Sequence, residues 1–304
     1  MLSVRFWGVR GSIPCPGQRT VQFGGNTSCL EIRAGKRLVI VDLGTGVKPL
    51  GDFLLAKDFK NRPPDLDIFL SHTHLDHIMG FPMFTPIFIP GSKLRIRGPL
   101  SYNDDTLSAI IGDLLSYRYW PVRQSELAAD IEYHELTETT LDMGDGLKVS
   151  TKLLNHPILC LGFRFEYQGK SIVTIYDHEP FRNLFPVDPK DPGYNEEAAL
   201  EGEAAAMGEN EGLMHFFSGA DILIHDAQYS AAEYQRYTGW GHSTYEFAME
   251  AAAMGGVKKL VFFHHDPGRS DAQLEVLEKR YQKKLKKSPI QEIIMAREGL
   301  CIEA

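Results

Sequence analysis

Apolar and polar residues alternate along this chain in short runs separated by glycine turns, and the spacing predicts strands first and strand–helix units later. Residues 2–7 read as a strand. Cys29–Ile32 and Arg37–Val41 form a predicted hairpin across Ala34-Gly35-Lys36. Leu66–Leu70 and Leu94–Gly98 read as buried strands, and Asp104–Tyr117 has helical periodicity. Leu147–Leu154 alternates like a strand, and Leu161–Tyr167 pairs with Ser171–Tyr176 across Gln168-Gly169-Lys170. Residues 186–212 are acidic and rich in Pro, Gly and Ala, which predicts a loop with a helical portion. Strand Asp221–Ile224, helix Ser243–Met254, strand Lys259–Phe263 and helix Asp271–Lys286 follow. This order predicts an α/β protein with two sheets between helices, although periodicity alone allows other α/β layerings. No repeat and no linker divides the chain, so residues 1–304 read as one domain.

Many predicted strands end on a side chain able to bind a metal. Asp42 follows Val39-Ile40-Val41, His156 follows Leu153-Leu154-Asn155, and Asp177 follows Val173 to Tyr176. His225 and Asp226 follow Ile222-Leu223-Ile224; His264 and His265 follow Val261-Phe262-Phe263. Taken singly, each is a cap or turn residue. Together they repeat one arrangement, used where active sites are built at one edge of a layered α/β fold. The densest case is Ser71-His72-Thr73-His74-Leu75-Asp76-His77, directly after Ile68-Phe69-Leu70. Histidine and aspartate are costly to bury unpaired, so such a group converges on something cationic. His72 and His74 lie two apart and face the same side of an extended strand end; Asp76 and His77 reach a second point after a turn. That spacing suits two adjacent divalent ions, and Zn²⁺ or Mn²⁺ both accept such donors.

Composition narrows the class. With 304 residues, 43% of them hydrophobic, the chain can bury a large core. A net charge of −8 and few Lys/Arg clusters argue against a nucleic-acid partner. The cluster Lys279-Arg280, Lys283-Lys284 and Lys286-Lys287 reads as the solvated face of a C-terminal helix. Cys15, Cys29, Cys160 and Cys301 are scattered without a Cys-x-x-Cys, which disfavours thiolate zinc and redox motifs. No run approaches the ~18 apolar residues of a membrane span, and the N-terminus lacks a signal-peptide pattern; the expectation is a cytoplasmic enzyme with no membrane partner.

The order His72-x-His74-x-Asp76-His77, His156, Asp177, His264 resembles the metallo-β-lactamase superfamily over nearly the whole chain. The resemblance implies a four-layer αββα sandwich and two divalent metals. His72, His74 and His156 would hold one; Asp76, His77 and His264 the other; Asp177 would bridge both, together with a water or hydroxide. His264 is favoured over His265 because it directly follows the apolar strand. Asp42 matches the superfamily's structural aspartate beneath the site.

An aspartate at the bridging position is a feature of the hydrolase and phosphodiesterase branches, whereas the best-known β-lactamases have cysteine there. Gly241-His242-Ser243-Thr244, with its following helix and strand, is similar to the corresponding segment of the tRNA 3′-processing endonucleases. Leu223-Ile224-His225-Asp226-Ala227 resembles their His-Glu-Ala-Thr motif, with Asp226 in place of Glu. The implied roles make Asp226 the residue that orients His242, and His242 the one that meets the phosphate or protonates the leaving group; a helix-start polar residue is the plainer reading of His242. No Gly/Pro- and Lys-rich arm of the tRNA-clamping kind is present. The segments Phe6 to Pro14 and Phe23 to Ser28 resemble instead bacterial phosphodiesterases of the superfamily, including some acting on cyclic nucleotides. Arg10 and Asn26 are candidates to face the substrate. The expectation is therefore a dinuclear metal-dependent phosphodiesterase for a small phosphodiester, a cyclic nucleotide such as cAMP favoured, with Asp76, Asp226 and His242 in catalytic roles and a homodimer possible. The alternatives are a tRNA 3′-processing-type endoribonuclease and a non-catalytic metal-binding sensor.

Overall fold

The first sheet contains β1 (Leu2–Gly8), β2 (Cys29–Ala34), β3 (Arg37–Val41), β4 (Asp65–Phe69), β5 (Lys93–Pro99), β6 (Asp130–Leu136) and β14 (Cys301–Glu303), in the order β14-β1-β2-β3-β4-β5-β6. The second contains β7 (Thr140–Asp142), β8 (Lys148–Leu154), β9 (Cys160–Tyr167), β10 (Lys170–Ile175), β11 (Ile222–Asp226), β12 (Lys259–Phe263) and β13 (Glu292–Met295), in the order β13-β12-β11-β10-β9-β8-β7. These come from a computed structural model that describes residues 1–101, 105–285 and 288–304. Each sheet is antiparallel on one side and parallel on the other: β3 to β6 run parallel, as do β10 to β13.

The period-2 alternation of the strands decides the layering. In β3, Val39 and Val41 point between the sheets, while Ile40 points outward onto α1 (Val47–Lys57). In β4, Phe69 enters the inter-sheet core, where it meets Phe163 edge-on at 5.4 Å; Leu66 and Ile68 join the outer core. On the far side, Ala248, Ala251 and Ala252 of α6 (Tyr245–Met254) and Leu274, Leu277 and Tyr281 of α7 (Asp271–Lys284) cover the second sheet. The result is two mixed sheets packed face to face and flanked by helices, the αββα layering that the resemblance implies.

Three elements differ from expectation. α1 has no counterpart in the sequence pattern, because Pro49 and Gly51 interrupt it; Pro49 lies in the first turn, where no N–H is needed. α4 (Glu196–Phe216) is 21 residues long and outruns the predicted loop, started by the Asn195 side chain accepting from Ala198 N at 2.9 Å. The helix expected from Asp104 begins at Leu107 as α3 (Leu107–Asp113), capped by Thr106; Asp104 itself lies outside the described residues. Lys279, Lys283 and Lys284 do lie on α7, while Lys286 and Lys287 lie outside the described residues.

The C-terminal ends of β3, β4, β8, β10, β11 and β12 all open to one edge, because these strands run in the same direction within each sheet. Asp42, the 71–77 segment, His156, Asp177, Asp226 and His264 are thereby brought to that edge. The Leu161 N–H donates to the Ser71 carbonyl at 2.8 Å and ties the two sheets together beneath it.

Candidate metal centre

After β4 the chain leaves the sheet at Ser71 and enters the one-turn helix α2 (Leu75–Ile78), with His74 at its N-cap. His72, His74, His156 and Asp177 present donor atoms within 4.8 Å of one another, and so do Asp76, His77, Asp177 and His264. Asp177 belongs to both groups. Its Oδ2 faces His72 Nε2 at 3.5 Å and His156 Nε2 at 3.8 Å; its Oδ1 faces His77 Nε2 at 3.4 Å and His264 Nε2 at 3.2 Å.

The hydrogen bonds behind these rings set which nitrogen is free. His77 Nδ1 donates to Asp42 Oδ2 at 2.7 Å, His264 Nδ1 to Gln228 Oε1 at 3.0 Å, and His156 Nδ1 to the Gly241 carbonyl at 2.9 Å. These bonds leave Nε2 of each ring turned inward. His77 Nε2 and His264 Nε2 then face each other at 3.2 Å, and His156 Nε2 faces His74 Nδ1 at 2.9 Å. Lone pairs that close repel unless a cation or proton lies between them. His72 Nε2 and Asp177 Oδ1 are buried without a hydrogen-bond partner, and both point into the cluster. Orphaned atoms of this kind fit a divalent ion, which supplies the missing partner.

Charge gives the same answer. Burial, then the nearby imidazole of His77, pushes His72 down; burial likewise lowers His74 and takes His156 down to about 4. These rings stay neutral, as ligation requires. Burial would also lower His77, but Asp76, Asp177 and Asp42 outweigh it and raise His77 far above its ordinary value. Burial opposes ionisation of Asp76 and Asp177, yet the facing imidazoles hold both well below the usual carboxylate range. Carboxylates converging on a buried point demand positive charge there.

Backbone strain concentrates at the same place. Asp42, His264 and Ser12 are non-glycine residues in the left-handed region, with φ of 64°, 59° and 66°. Asp42 is fully buried and accepts from Ser28 Oγ at 2.7 Å and Ser71 N at 2.8 Å as well as from His77. Ser12 donates its N–H to Asp76 Oδ2 at 2.7 Å. Gly11 sits so close to the His264 ring that a Cβ would lie 2.4 Å from its atoms, which accounts for glycine there.

His242 stands beside these groups. Its Nδ1 is 3.2 Å from Asp226 Oδ2 and 3.9 Å from Asp177 Oδ2, and its ring stacks on His264 at 5.1 Å. Burial alone would lower its pKa; Asp226, then Asp177, outweigh this and push it up to about 9. Asp226 also accepts from Ser243 N at 3.0 Å, and Thr244 caps α6. The helix-start role therefore belongs to Thr244, and Asp226, His242 and His264 bring donor atoms within 4.8 Å of one another in a third group.

The edge gathers every residue expected as a metal ligand, together with Asp226 and His242. It leaves out His265, whose Nε2 faces the Ala296 carbonyl at 2.8 Å, and His225, whose Nδ1 faces the Asp226 carbonyl at 2.7 Å. Arg10 and Asn26 do not face a substrate. Arg10 is wholly buried, bonding the Gly24 carbonyl at 2.8 Å and the Arg269 carbonyl at 2.7 Å; Asn26 Nδ2 is bound to Glu298 at 3.0 Å. Sequence reasoning missed Gln228 and Glu179. Gln228 lies two residues past Asp226, a same-side spacing that was readable. Glu179 is buried and accepts from Gly239 N at 2.8 Å and Gly241 N at 2.9 Å, so it fixes the loop carrying His242.

Residues 23–145 match the family model of the metallo-β-lactamase superfamily. Ribonuclease Z of Lactococcus lactis subsp. lactis (strain IL1403) is 29% identical over 227 residues, covering 65% of this chain and 69% of that protein. The metallo-β-lactamase fold protein YhfI from Bacillus subtilis superposes with a TM-score of 0.66 at 18% identity, covering 100% of this chain and 99% of that one. The short form of human tRNase Z gives a TM-score of 0.61 at 20% identity, with 99% and 98% covered. The ribonuclease relative corrects the expectation that nucleic acid is an unlikely partner. Net charge averages the whole surface, and much of the acidity lies on α4, whose residues include Glu196, Glu197, Glu201, Glu203, Glu209 and Glu211. It says little about the charge at one edge. Among the described residues, no helix is long and apolar enough to cross a membrane.

Proposed function

We propose that this chain belongs to the metallo-β-lactamase superfamily and is a metal-dependent phosphodiesterase of the ribonuclease Z kind, cutting a transfer-RNA precursor at a phosphodiester beside its 3′ end. The observation that carries the reading is the Asp226–His242 pair, 3.2 Å apart, directly beside two donor sets that share Asp177. His72, His74, His156 and Asp177 would hold one divalent ion; Asp76, His77, His264 and Asp177 would hold the second. Zn²⁺ and Mn²⁺ both suit these donors. Two such ions would supply a water of lowered pKa as the nucleophile and positive charge opposite the anionic phosphate.

The remaining steps belong to the chain. Asp42, Gln228 and the Gly241 carbonyl keep Nε2 of His77, His264 and His156 directed inward. Ser12 N holds the Asp76 carboxylate. Asp226 keeps His242 protonated at neutral pH, so the imidazolium can bind a phosphoryl oxygen and pass its proton to the leaving oxygen. The similarity to ribonuclease Z supports an RNA substrate.

A second reading, a small or cyclic phosphodiester, is favoured by one observation. The cleft lined by His156, Phe181, Arg182 and Gly241 measures about 360 Å³, room for little more than one nucleotide. Protein loaded with Zn²⁺ or Mn²⁺ should be given a precursor transfer RNA, 3′,5′-cyclic AMP and bis(p-nitrophenyl) phosphate. Site-specific cleavage of the precursor is expected. Turnover of cyclic AMP with the precursor left intact would promote the second reading, and hydrolysis of none of the three would end both.

A further inference from the structure

We propose that Trp240 is a platform on which a nucleobase of the substrate stacks, next to the phosphodiester that is cut. The inference rests on the phosphodiesterase reading and names what the site grips beyond the phosphate.

Trp240 is 61% exposed, two residues before His242. A tryptophan that served only packing would bury its ring, since that burial is a large part of its stabilising effect. Here the exposure is enforced. Gly239 N and Gly241 N on either side of Trp240 donate to the buried Glu179 carboxylate at 2.8 and 2.9 Å, and Trp240 N donates to the Tyr237 carbonyl at 3.1 Å. The loop is fixed from beneath while the indole remains displayed. A ring held in this way loses little freedom when a ligand settles on it.

The indole is also propped from the side. Tyr237 meets it edge-on at 5.2 Å, and Tyr237 stacks on Tyr229 at 4.5 Å with the planes 6° apart. Tyr229 is 6.0 Å from the His242 ring. A continuous file of aromatic rings therefore runs from the surface to the candidate acid. Cations flank it. Arg236 lines a cleft with Tyr229 and Tyr237 and makes no ion pair among the described residues. Arg182 lies across the loop in the cleft beside His156, 51% exposed and only 4.0 Å from Glu179 at its nearest. Aromatic faces between cationic side chains are the recognition chemistry of unpaired nucleotides, in which bases stack and guanidinium groups meet the adjoining phosphates.

The test uses the full-length metal-loaded protein. Tryptophan emission is followed while adenosine 5′-monophosphate, ribose 5-phosphate or a six-residue oligoadenylate is added. Adenosine 5′-monophosphate and the oligonucleotide should quench; ribose 5-phosphate, which lacks a base, should not. Kd for a labelled oligoadenylate, read by fluorescence polarisation, should weaken about five- to a hundred-fold in Trp240→Ala, the span expected for losing one stacked base. It should return to near the wild-type value in Trp240→Phe. Stronger quenching by the oligonucleotide than by the mononucleotide assigns the platform to RNA, and equal quenching assigns it to a free nucleotide; both support the stacking site. Unchanged oligoadenylate binding in Trp240→Ala, or equal quenching by ribose 5-phosphate, overturns the proposal. An intact precursor transfer RNA together with Trp240-dependent quenching would remove only the proposed substrate.

Discussion

His242 Nδ1 lies 3.2 Å from Asp226 Oδ2, and the same oxygen takes the Ser243 N–H at 3.0 Å. One carboxylate thus fixes both the imidazole and the backbone that carries it, and it keeps the ring cationic within reach of Asp177. Such an arrangement places an imidazole N–H donor directly beside the candidate metal centre, where it can serve a leaving oxygen.

His242→Ala is therefore expected to retain its metals and to lower kcat by roughly 10²–10⁴, the range for losing a general acid. The loss should shrink with bis(p-nitrophenyl) phosphate, whose leaving group needs no proton. Asp226→Asn should repeat the pattern more weakly. Metal analysis beside steady-state rates on both substrate types checks this. An equal loss on both would leave His242 as a phosphate-binding group only, and loss of metal would place it among the ligands.

Asp177 joins the His72–His74–His156 set to the Asp76–His77–His264 set. Elemental analysis after mild purification is expected to approach two divalent ions per chain. Asp177→Ala should lose most activity and metal while keeping its far-ultraviolet circular dichroism. Chelation should lower Tm, because bound metal stabilises the folded state in proportion to RT ln(1 + [M]/Kd), and adding Zn²⁺ or Mn²⁺ should restore it. A reproducible content near one, with full activity, would defeat the dinuclear reading.

The candidate metal cluster is legible because six consecutive residues carry most of it. A one-turn helix after a strand needs no distant contact to present His72, His74, Asp76 and His77 together. Asp42, His156, Asp177 and His264 were legible for a different reason: parallel strands carry each strand-end side chain to one edge. The choice of His264 over His265 becomes physical in the left-handed turn at His264, which swings its ring to the site and leaves His265 against the Ala296 carbonyl. Arg10 was misread because a lone arginine among glycines gives no sign of whether its partners are solvent or backbone carbonyls. Glu179 was missed because its partners lie 60 and 62 residues ahead, and backbone N–H donors leave no mark in a sequence.

Asp67 provides a test of pH dependence away from the site. Burial opposes its charge, but hydrogen bonds from Arg95 and Arg97 outweigh this and hold its pKa below the ordinary 3.8. A carboxylate depressed in the folded state stabilises fully above its unfolded value and loses that contribution as pH falls through the folded one. Asp67→Asn should therefore destabilise at pH 7 by about 1–2 kcal/mol, a value discounted for the partly exposed arginines. The difference from wild type should narrow below pH 3.8. Urea denaturation at neutral and acid pH checks it, and a pH-independent difference would contradict the account.

Glu179 is expected to act on the chemistry without touching it. Its carboxylate holds Gly239 N and Gly241 N, and it accepts from Tyr234 OH. The carbonyl of Gly241 in turn holds His156 Nδ1 at 2.9 Å. Gly241 has little room to adjust: its φ is 83°, and a Cβ there would lie 2.2 Å from His156 Nδ1. In Glu179→Gln, an amide with one acceptor oxygen would turn its NH₂ toward a backbone N–H. The loop would shift, and His156 and His242 would move with it. Partners that orient ligands typically change metal affinity or activity by about 10–100-fold when altered, so a loss of that size in kcat is expected. Metal affinity should fall in the same variant, as His156 loses its backing, which separates Glu179→Gln from His242→Ala. Glu179→Asp, too short to span both N–H groups, should not restore either property. Wild-type metal affinity with reduced kcat in Glu179→Gln would confine the effect to His242, and wild-type values of both would show that the loop holds its shape without this carboxylate.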